Sequence, residues 1–395
     1  MNILNLFDFK PKKRDFVSGL LRELARDGTH GWSHDAEANS LTHARGVVHL
    51  ENLFREYAAA HRADRPHLLR KYAALAASLD GPAMPARWAD AAAGVRALVR
   101  SRYDRAFEFE SSDRPATVEW PFVDDLHVRL AYDFGAYVTH VTRERADEWA
   151  ITDDAMRQAA VANLAREPVE WQALGAGVFR LVADEHAESH LLVDATFERL
   201  PFRDAAAVPS NRGVLLACDR NDRTALRALL GEAERCVQQK PWPIAGTLLA
   251  RDAGRWQPFL PDGELAVAAR RLRTLDTGLL YADQKLALDR HHETIDHDVF
   301  VATCLVFEDD DELRSLCTWS EGVVTLLPRT DIVVFHRGTE PPQTLAVAWD
   351  DAVSIAGAHL QASDFDPVRY LVDTFPTPEQ WRALEACKPA MNARN

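Results

Sequence analysis

The chain has 395 residues, of which 27% are charged and 47% are apolar, and its net charge is −14. This length is sufficient for two or three domains with sizeable cores, and the composition is ordinary for a globular protein. A surface of this sign repels phosphate backbones and anionic lipid, so we expect neither a nucleic-acid partner nor a membrane partner. The short basic run KPKKR at residues 10–14 is typical of a solvated tail.

The sequence predicts a cytoplasmic protein without a cofactor. No stretch approaches the roughly 18 apolar residues of a membrane helix, and the N-terminus has its positive charge after its apolar part, unlike a secretory signal. The five cysteines are widely spaced and form no CxxC pair, which disfavours a disulfide framework or a zinc site. The phosphate-binding patterns GxxxxGK[ST] and GxGxxG are also missing from the sequence.

The first predicted region, residues 1–105, is helical with a few short strands. Asp15 is a suitable N-cap for a helix that ends near Gly28, and short strands are expected between Trp32 and Val48. Apolar residues at helical spacing predict two more helices, one from Leu50 and one opened by Pro66. A further helix is expected over residues 87–100.

The second region, residues 106–262, is predicted to be an α+β core. Period-two patterns indicate antiparallel strands between residues 117 and 142, strands on both sides of Gly175, a strand at 213–218 and a hairpin at 245–260. Helices are expected at residues 153–166, 188–199 and 222–237.

A polar, partly helical connector is predicted at residues 263–290, followed by a β-rich α+β region at 291–395. In this last region we expect a hairpin around the acidic turn at 308–312 and helices at 344–356 and 378–386. Hairpins outnumber strand–helix–strand crossovers along the chain. The predicted fold class is therefore α+β, with mostly antiparallel sheets, packed helices and two or three subdomains.

Three segments carry a family resemblance. They are A-x-x-N-L around Asn163, D-x-x-x-x-S-x-L-L from Asp184 through Ser189, and A-V-P ending at Pro209. In these the chain resembles the YtpQ-like bacterial family, over about residues 14–260, with an additional C-terminal region. The chain departs from the family at His190, where members tend to have Arg, and at the preceding turn, where they often have Asp-Gly. The resemblance implies a cytoplasmic bacterial protein and names no substrate.

Asn163 is one candidate functional residue. Helical phase places it with Met156, Ala160 and Leu164 on the inward face of its helix. A buried amide without partners costs about 1–3 kcal/mol, so we expect hydrogen bonds that fix a neighbouring loop rather than a catalytic role.

A second candidate cluster lies at the following strand-to-helix junction, with Asp184, His186, Ser189 and His190. Two histidines four residues apart are compatible with metal or acid–base chemistry. The segment lacks the third ligand of an HExxH site, and Ser189 lacks the G-x-S-x-G setting of a nucleophile elbow. We therefore favour helix capping by Asp184 or Ser189.

His291, His292 and His297 form the densest group of metal-ligand residue types, together with nearby carboxylates. They are predicted in a polar linker, where exposed residues of this type are expected without a metal.

No complete catalytic constellation is present, so the sequence favours a non-enzymatic binding or regulatory protein, with a protein partner as one kind of ligand. The alternative is a hydrolytic or metal-assisted enzyme with its site around Asn163, Asp184 and Ser189. Oligomeric state is not indicated by the sequence.

Overall fold

A six-stranded antiparallel sheet with both faces covered lies at the centre of the fold. In this computed structural model the chain is α+β, with mostly antiparallel sheets and packed helices, as the sequence predicts. The structure describes residues 11–26, 28–36, 39–43, 46–77, 84–105, 116–135, 137–183, 186–295, 298–309 and 312–387.

The N-terminal region is a small helical layer with a three-stranded antiparallel sheet. Its elements are α1 (Lys13–Arg26), β1 (Ser33–Asp35), β2 (Ser40–His43), β3 (Gly46–His49), α2 (Glu51–Ala59) and α3 (Arg65–Ala77). Phe16, Leu20 and Leu24 repeat at helical spacing on α1, and they pack on Tyr72 of α3. These elements follow the predicted order, but α1 begins at Lys13, so Asp15 lies in its first turn and the predicted N-cap is wrong.

A four-stranded antiparallel sheet follows and corrects one prediction. Its elements are α4 (Trp88–Ala91), β4 (Val95–Ser101), β5 (Glu119–Val123), β6 (Leu126–Asp133), β7 (Val138–His140), α5 (Arg143–Glu148) and α6 (Asp153–Leu164). The helix predicted at residues 87–100 is wrong: α4 has four residues, and β4 follows. The β4 segment is almost wholly buried and pairs with β6 along its entire length, so sheet pairing overrides its helix-like spacing.

The central sheet has the order β13-β12-β10-β11-β9-β8. Its elements are β8 (Glu170–Gly175), β9 (Val178–Val182), β10 (Ala205–Asn211), β11 (Val214–Asp219), β12 (Leu249–Asp252) and β13 (Arg255–Pro258). Successive side chains point to opposite faces. Ala206, Val208 and Leu216 therefore face α8 (Arg223–Gln239), while Ala207 and Leu215 face the four-stranded sheet and α6.

The helix predicted at residues 188–199 is also wrong. The segment forms a 3-10 helix (Ala187–Leu192), an extended residue at Val193 and the short helix α7 (Asp194–Phe197). Glu188 and Ser189 are fully buried and bond to Gly213 of the β10–β11 turn and to Val99 of β4, so tertiary contacts replace the regular helical pattern.

One helix of 32 residues, α9 (Glu264–Ile295), replaces the predicted partly helical connector. Near its start Leu265 and Leu272 pack on α8 and the central sheet, and near its end Leu288 packs on Val301 and Leu326. Gly246 lies against this helix, where a Cβ would come within 2.7 Å of the Leu272 carbonyl oxygen, so glycine permits the close approach.

The C-terminal region has two four-stranded sheets with the orders β14-β17-β21-β20 and β15-β16-β18-β19. Its elements are β14 (Phe300–Val301), β15 (Leu305–Asp309), β16 (Glu312–Ser320), β17 (Thr325–Pro328), β18 (Ile332–Arg337), β19 (Gln343–Ala348), α10 (Trp349–Ala356), β20 (Gln361–Ala362), β21 (Arg369–Val372) and α11 (Pro378–Glu385). The first half of the helix predicted at 344–356 is wrong, because β19 pairs with β18 up to Ala348.

Arg369 is a fully buried cation between α9 and this region. Its guanidinium donates to the side-chain oxygen of Gln284 and to the carbonyl oxygens of Ala302, Leu326 and Tyr281. These four acceptors fasten β21 to the helix. Among the described helices, none has the length and apolar character needed to cross a membrane.

Candidate functional site

Asn163 joins the end of α6 to the start of β4. Its side-chain nitrogen donates to the carbonyl oxygens of Ala92 at 2.8 Å and Val95 at 3.0 Å, and its oxygen accepts from Arg166 at 2.9 Å. The residue is half-buried. All of these contacts are structural, in keeping with the amide role that we favoured from the sequence.

Ser189 and His190 have structural partners on different elements, and the helix-capping role favoured for Ser189 is wrong, because Ser189 lies inside the 3-10 helix. The Ser189 hydroxyl accepts from the backbone N–H of Val99 at 3.0 Å, and His190 Nδ1 lies 3.2 Å from the Thr196 hydroxyl. Asn163 and Ser189 thus contact β4 at points four residues apart, which is about 13 Å in a strand. The structure does not bring them together, and Asp184 lies outside the described residues.

The histidines at the end of α9 do not form a metal site with the residues that the structure describes. The rings of His291 and His292 lie 6.2 Å apart, and His292 Nδ1 donates to the Val299 carbonyl at 3.1 Å. His297 is outside the described residues.

His186 differs from the other described candidates, because it lines a cavity of about 520 Å³. One wall comes from α2 and α3 through Leu53, Glu56, Lys71, Tyr72 and Leu75. The other wall comes from β4, β7, β9, the β10–β11 turn and the segment after α8. We call this space the basic cavity. Its volume is within the range of small-molecule sites.

Five basic side chains line the basic cavity, against a single carboxylate among its lining residues. The cations are Lys71, Arg100, Arg180, Arg212 and Lys240, and the carboxylate is Glu56. This local excess of positive charge is the reverse of the net charge of the chain, −14. Clefts lined by one sign of charge concentrate ions of the opposite sign, so the site attracts anions.

A buried ion pair fixes Arg100 in the cavity wall. Its guanidinium donates to the Glu188 carboxylate at 2.6 Å, and the other Glu188 oxygen accepts from the backbone N–H of Gly213 at 2.7 Å. Gly213 has φ +71°, a conformation that favours glycine, at the turn between β10 and β11. Burial raises the pKa of Glu188, whereas Arg100 and the Gly213 amide act in the opposite direction.

Trp242 ties the two walls together. Its indole N–H donates to Glu56 at 3.4 Å, and the Arg212 guanidinium lies 4.5 Å from its ring centre. Glu56 also lies 3.8 Å from the Lys71 ammonium. Of these contacts only the long Trp242–Glu56 hydrogen bond crosses between the walls, while the cation–π contact and the Glu56–Lys71 contact each lie within one wall.

The positive field of the cavity acts on His186. Its Nδ1 lies 3.3 Å from Arg100. Burial, followed by the charges of Arg100, Arg212 and Lys71, lowers the pKa of His186 to about 3. His186 is therefore a neutral imidazole at pH 7, able to donate or accept a hydrogen bond without adding charge.

The sequence indicated His186 but not the rest of this site, because its five cations are spread from Lys71 to Lys240 without a shared motif. One signal was available. In the strand V-F-R-L-V, Arg180 takes a position that points to the same face as Val178, where an apolar residue is expected.

No family model, curated protein or solved structure matches the chain. The resemblance to the YtpQ-like family stays a prediction.

Proposed function

We propose that this protein is a non-enzymatic binding or regulatory protein of the bacterial cytoplasm, and that its ligand occupies the basic cavity. The observation that carries the proposal is the cavity itself, about 520 Å³ in volume and lined by polar and apolar side chains from two regions of the chain. A ligand there contacts α2 and α3 on one side and the sheets on the other. Its binding can therefore alter how tightly the two walls are held.

The part of the chain that resembles the YtpQ-like family also contains the basic cavity. The cavity-lining residues run from Leu53 to Trp242, within residues 14–260 that carry the resemblance. We propose that this part is a YtpQ-like domain and that the cavity is its functional site.

The hydrolytic alternative has less support. Ser189 is fully buried, and its hydroxyl accepts a backbone hydrogen bond instead of facing the cavity. A nucleophile needs a base within hydrogen-bond reach and an accessible substrate position. Asn163 and Ser189 contact different partners, so these two residues do not form a catalytic pair.

A thermal-shift screen with a library of small metabolites tests the proposal. Val138 lines the cavity, so V138W fills part of it. V353W places the same ring at an exposed site on α10 and is the matched control. We expect at least one compound to stabilise the natural protein and V353W but not V138W, by about 2.7 kcal/mol at a concentration of 100 Kd.

Chromatography of the same mixtures separates binding from catalysis. A binding protein returns the stabilising compound unchanged after long incubation, whereas turnover contradicts the non-enzymatic proposal. Absence of any stabilising compound, or equal stabilisation of V138W, contradicts the assignment of the cavity.

A further inference from the structure

Arg180 and Lys240 are two neighbouring cations of the basic cavity that have no anionic partner in the part of the chain that the structure describes. They differ in this from Lys71, which lies near Glu56, and from Arg100, which binds Glu188. Glu232, whose charge acts on Lys240, forms an ion pair with Arg235. The two cations are half-buried, so water compensates their charge only in part.

Both positions are held by regular structure. Arg180 lies in the middle of β9, opposite Leu216 of β11 and Gln172 of β8. Lys240 ends α8, where its N–H donates to the Cys236 carbonyl and its carbonyl accepts from the buried Asn211 amide. The two charges are therefore fixed near each other before any ligand arrives.

The charge of Arg180 acts on Lys240. Burial, and next the charge of Arg180, lower the pKa of Lys240. Two like charges held together in a partly desolvated site favour a partner that neutralises both. A dianion does so with one molecule, and an arginine and a lysine together offer it a planar fork and a compact ammonium.

The rest of the cavity indicates what the anionic group is attached to. Leu53, Leu75, Tyr137, Val138 and Pro241 supply apolar surface around the cations. A volume of about 520 Å³ exceeds the needs of a bare inorganic ion. The walls therefore suit an organic body that carries a charged head group.

We propose that the basic cavity binds a small organic dianion, with its head group between Arg180 and Lys240 and its body against the apolar walls. This inference rests on the proposed function, because it names the chemistry of the ligand in the same cavity. The head group is a phosphate monoester or a dicarboxylate, two dianions that the cations recognise by the same charge.

Calorimetry with four ring compounds tests the inference, using the full chain at about pH 7.5, where a phosphate monoester is mostly dianionic. Phenyl phosphate and phenylmalonate carry dianionic heads, benzoate is a monoanion and benzyl alcohol is neutral. We expect one or both dianions to bind at least about tenfold more tightly than benzoate, which corresponds to one lost charge-assisted contact. The tighter of the two dianions identifies the head group.

Three charge-changing variants complete the experiment. R180Q and K240Q are each expected to weaken dianion binding about tenfold or more, and R382Q, an exposed arginine of α11, is the matched control with unchanged binding. R180K keeps the charge and is expected to lie between the natural protein and R180Q. Circular dichroism and urea midpoints establish that each variant is folded.

Two results overturn the inference. One is binding of benzyl alcohol as tight as that of the dianions, and the other is dianion binding unaffected by both R180Q and K240Q. If the metabolite screen finds a cavity ligand without charge, this inference fails and the proposed function stands. If the screen finds no cavity ligand, both fail.

Discussion

Replacement of the buried Asp276 by Asn is expected to stabilise the protein at neutral pH. Asp276 lies on α9, and its Oδ2 accepts from the backbone N–H of Gly246 at 2.9 Å. Burial raises its pKa to about 6, because the Gly246 amide and Arg273 offset the lost hydration only in part. Ionised Asp276 therefore costs free energy in the folded state, and a neutral amide avoids that cost.

The size of the expected gain in the free energy of unfolding follows from the pKa of Asp276. A rise from 3.8 to about 6 corresponds to about 3 kcal/mol of folding free energy above pH 6. Asn can still accept from Gly246, but its amide hydrogens need partners at a cost of about 1 kcal/mol. We therefore expect D276N to raise the free energy of unfolding at pH 7.5 by about 2 kcal/mol.

The stability difference between D276N and the natural protein should change with pH in a defined direction. An acid with a raised pKa contributes stability that is fully present below its unfolded pKa and lost as pH rises through the folded pKa. D276N should accordingly be about 1 kcal/mol less stable than the natural protein below pH 4, and its relative stability should rise between about pH 4 and pH 6. Urea unfolding at a series of pH values, monitored by tryptophan fluorescence, measures this difference.

The exposed Asp373 provides the control. D373N should change the free energy of unfolding by less than about 0.5 kcal/mol at every pH. Equal stability of D276N and the natural protein across the range, or a loss in D276N at pH 7.5, refutes the assignment of a costly buried carboxylate.

Substitutions at two further positions, Asn163 and Arg369, probe the polar contacts of the fold. N163A removes the donor to the Ala92 and Val95 carbonyls and should cost about 1–3 kcal/mol in urea unfolding. N163D should cost more than N163A at pH 7, since it sets a carboxylate against two carbonyl oxygens, and unchanged stability in both variants would contradict the structural role. R369M leaves four acceptors of a buried arginine without their donor and should cost about 3 kcal/mol or more, with R369K recovering part of the loss. A urea unfolding midpoint for R369M equal to that of the natural protein would show that the four Arg369 contacts contribute little to stability.

Local patterns predicted the amphipathic helices and the hairpins well. In α8 the stripe of Leu226, Leu229 and Leu230 at helical spacing indicates both the helix and its buried face. In the C-terminal region, β15 and β16 pair antiparallel as expected, with Asp309 opposite Glu312. These elements depend on contacts between residues close in sequence, which periodicity reports directly.

The wrong predictions lie in segments whose structure depends on residues far away in the sequence. Residues 95–101 form a strand because β6 pairs with them, and that partner begins at Leu126. The segment from Ala187 avoids a regular helix because Glu188 binds Arg100 and Gly213. The basic cavity has the same origin, as its charges meet only after the sheets and the N-terminal helices have packed. No local pattern contains that information.

The helix α9 has a consequence for how the chain can be divided. Its 32 residues span about 48 Å, and the helix contributes residues to two hydrophobic cores. Leu272 belongs to the core of the central sheet, while Leu288 and Gln284 belong to the contacts of the C-terminal strands. The C-terminal strands therefore share this helix with the central sheet, and we expect the two cores to unfold in one transition.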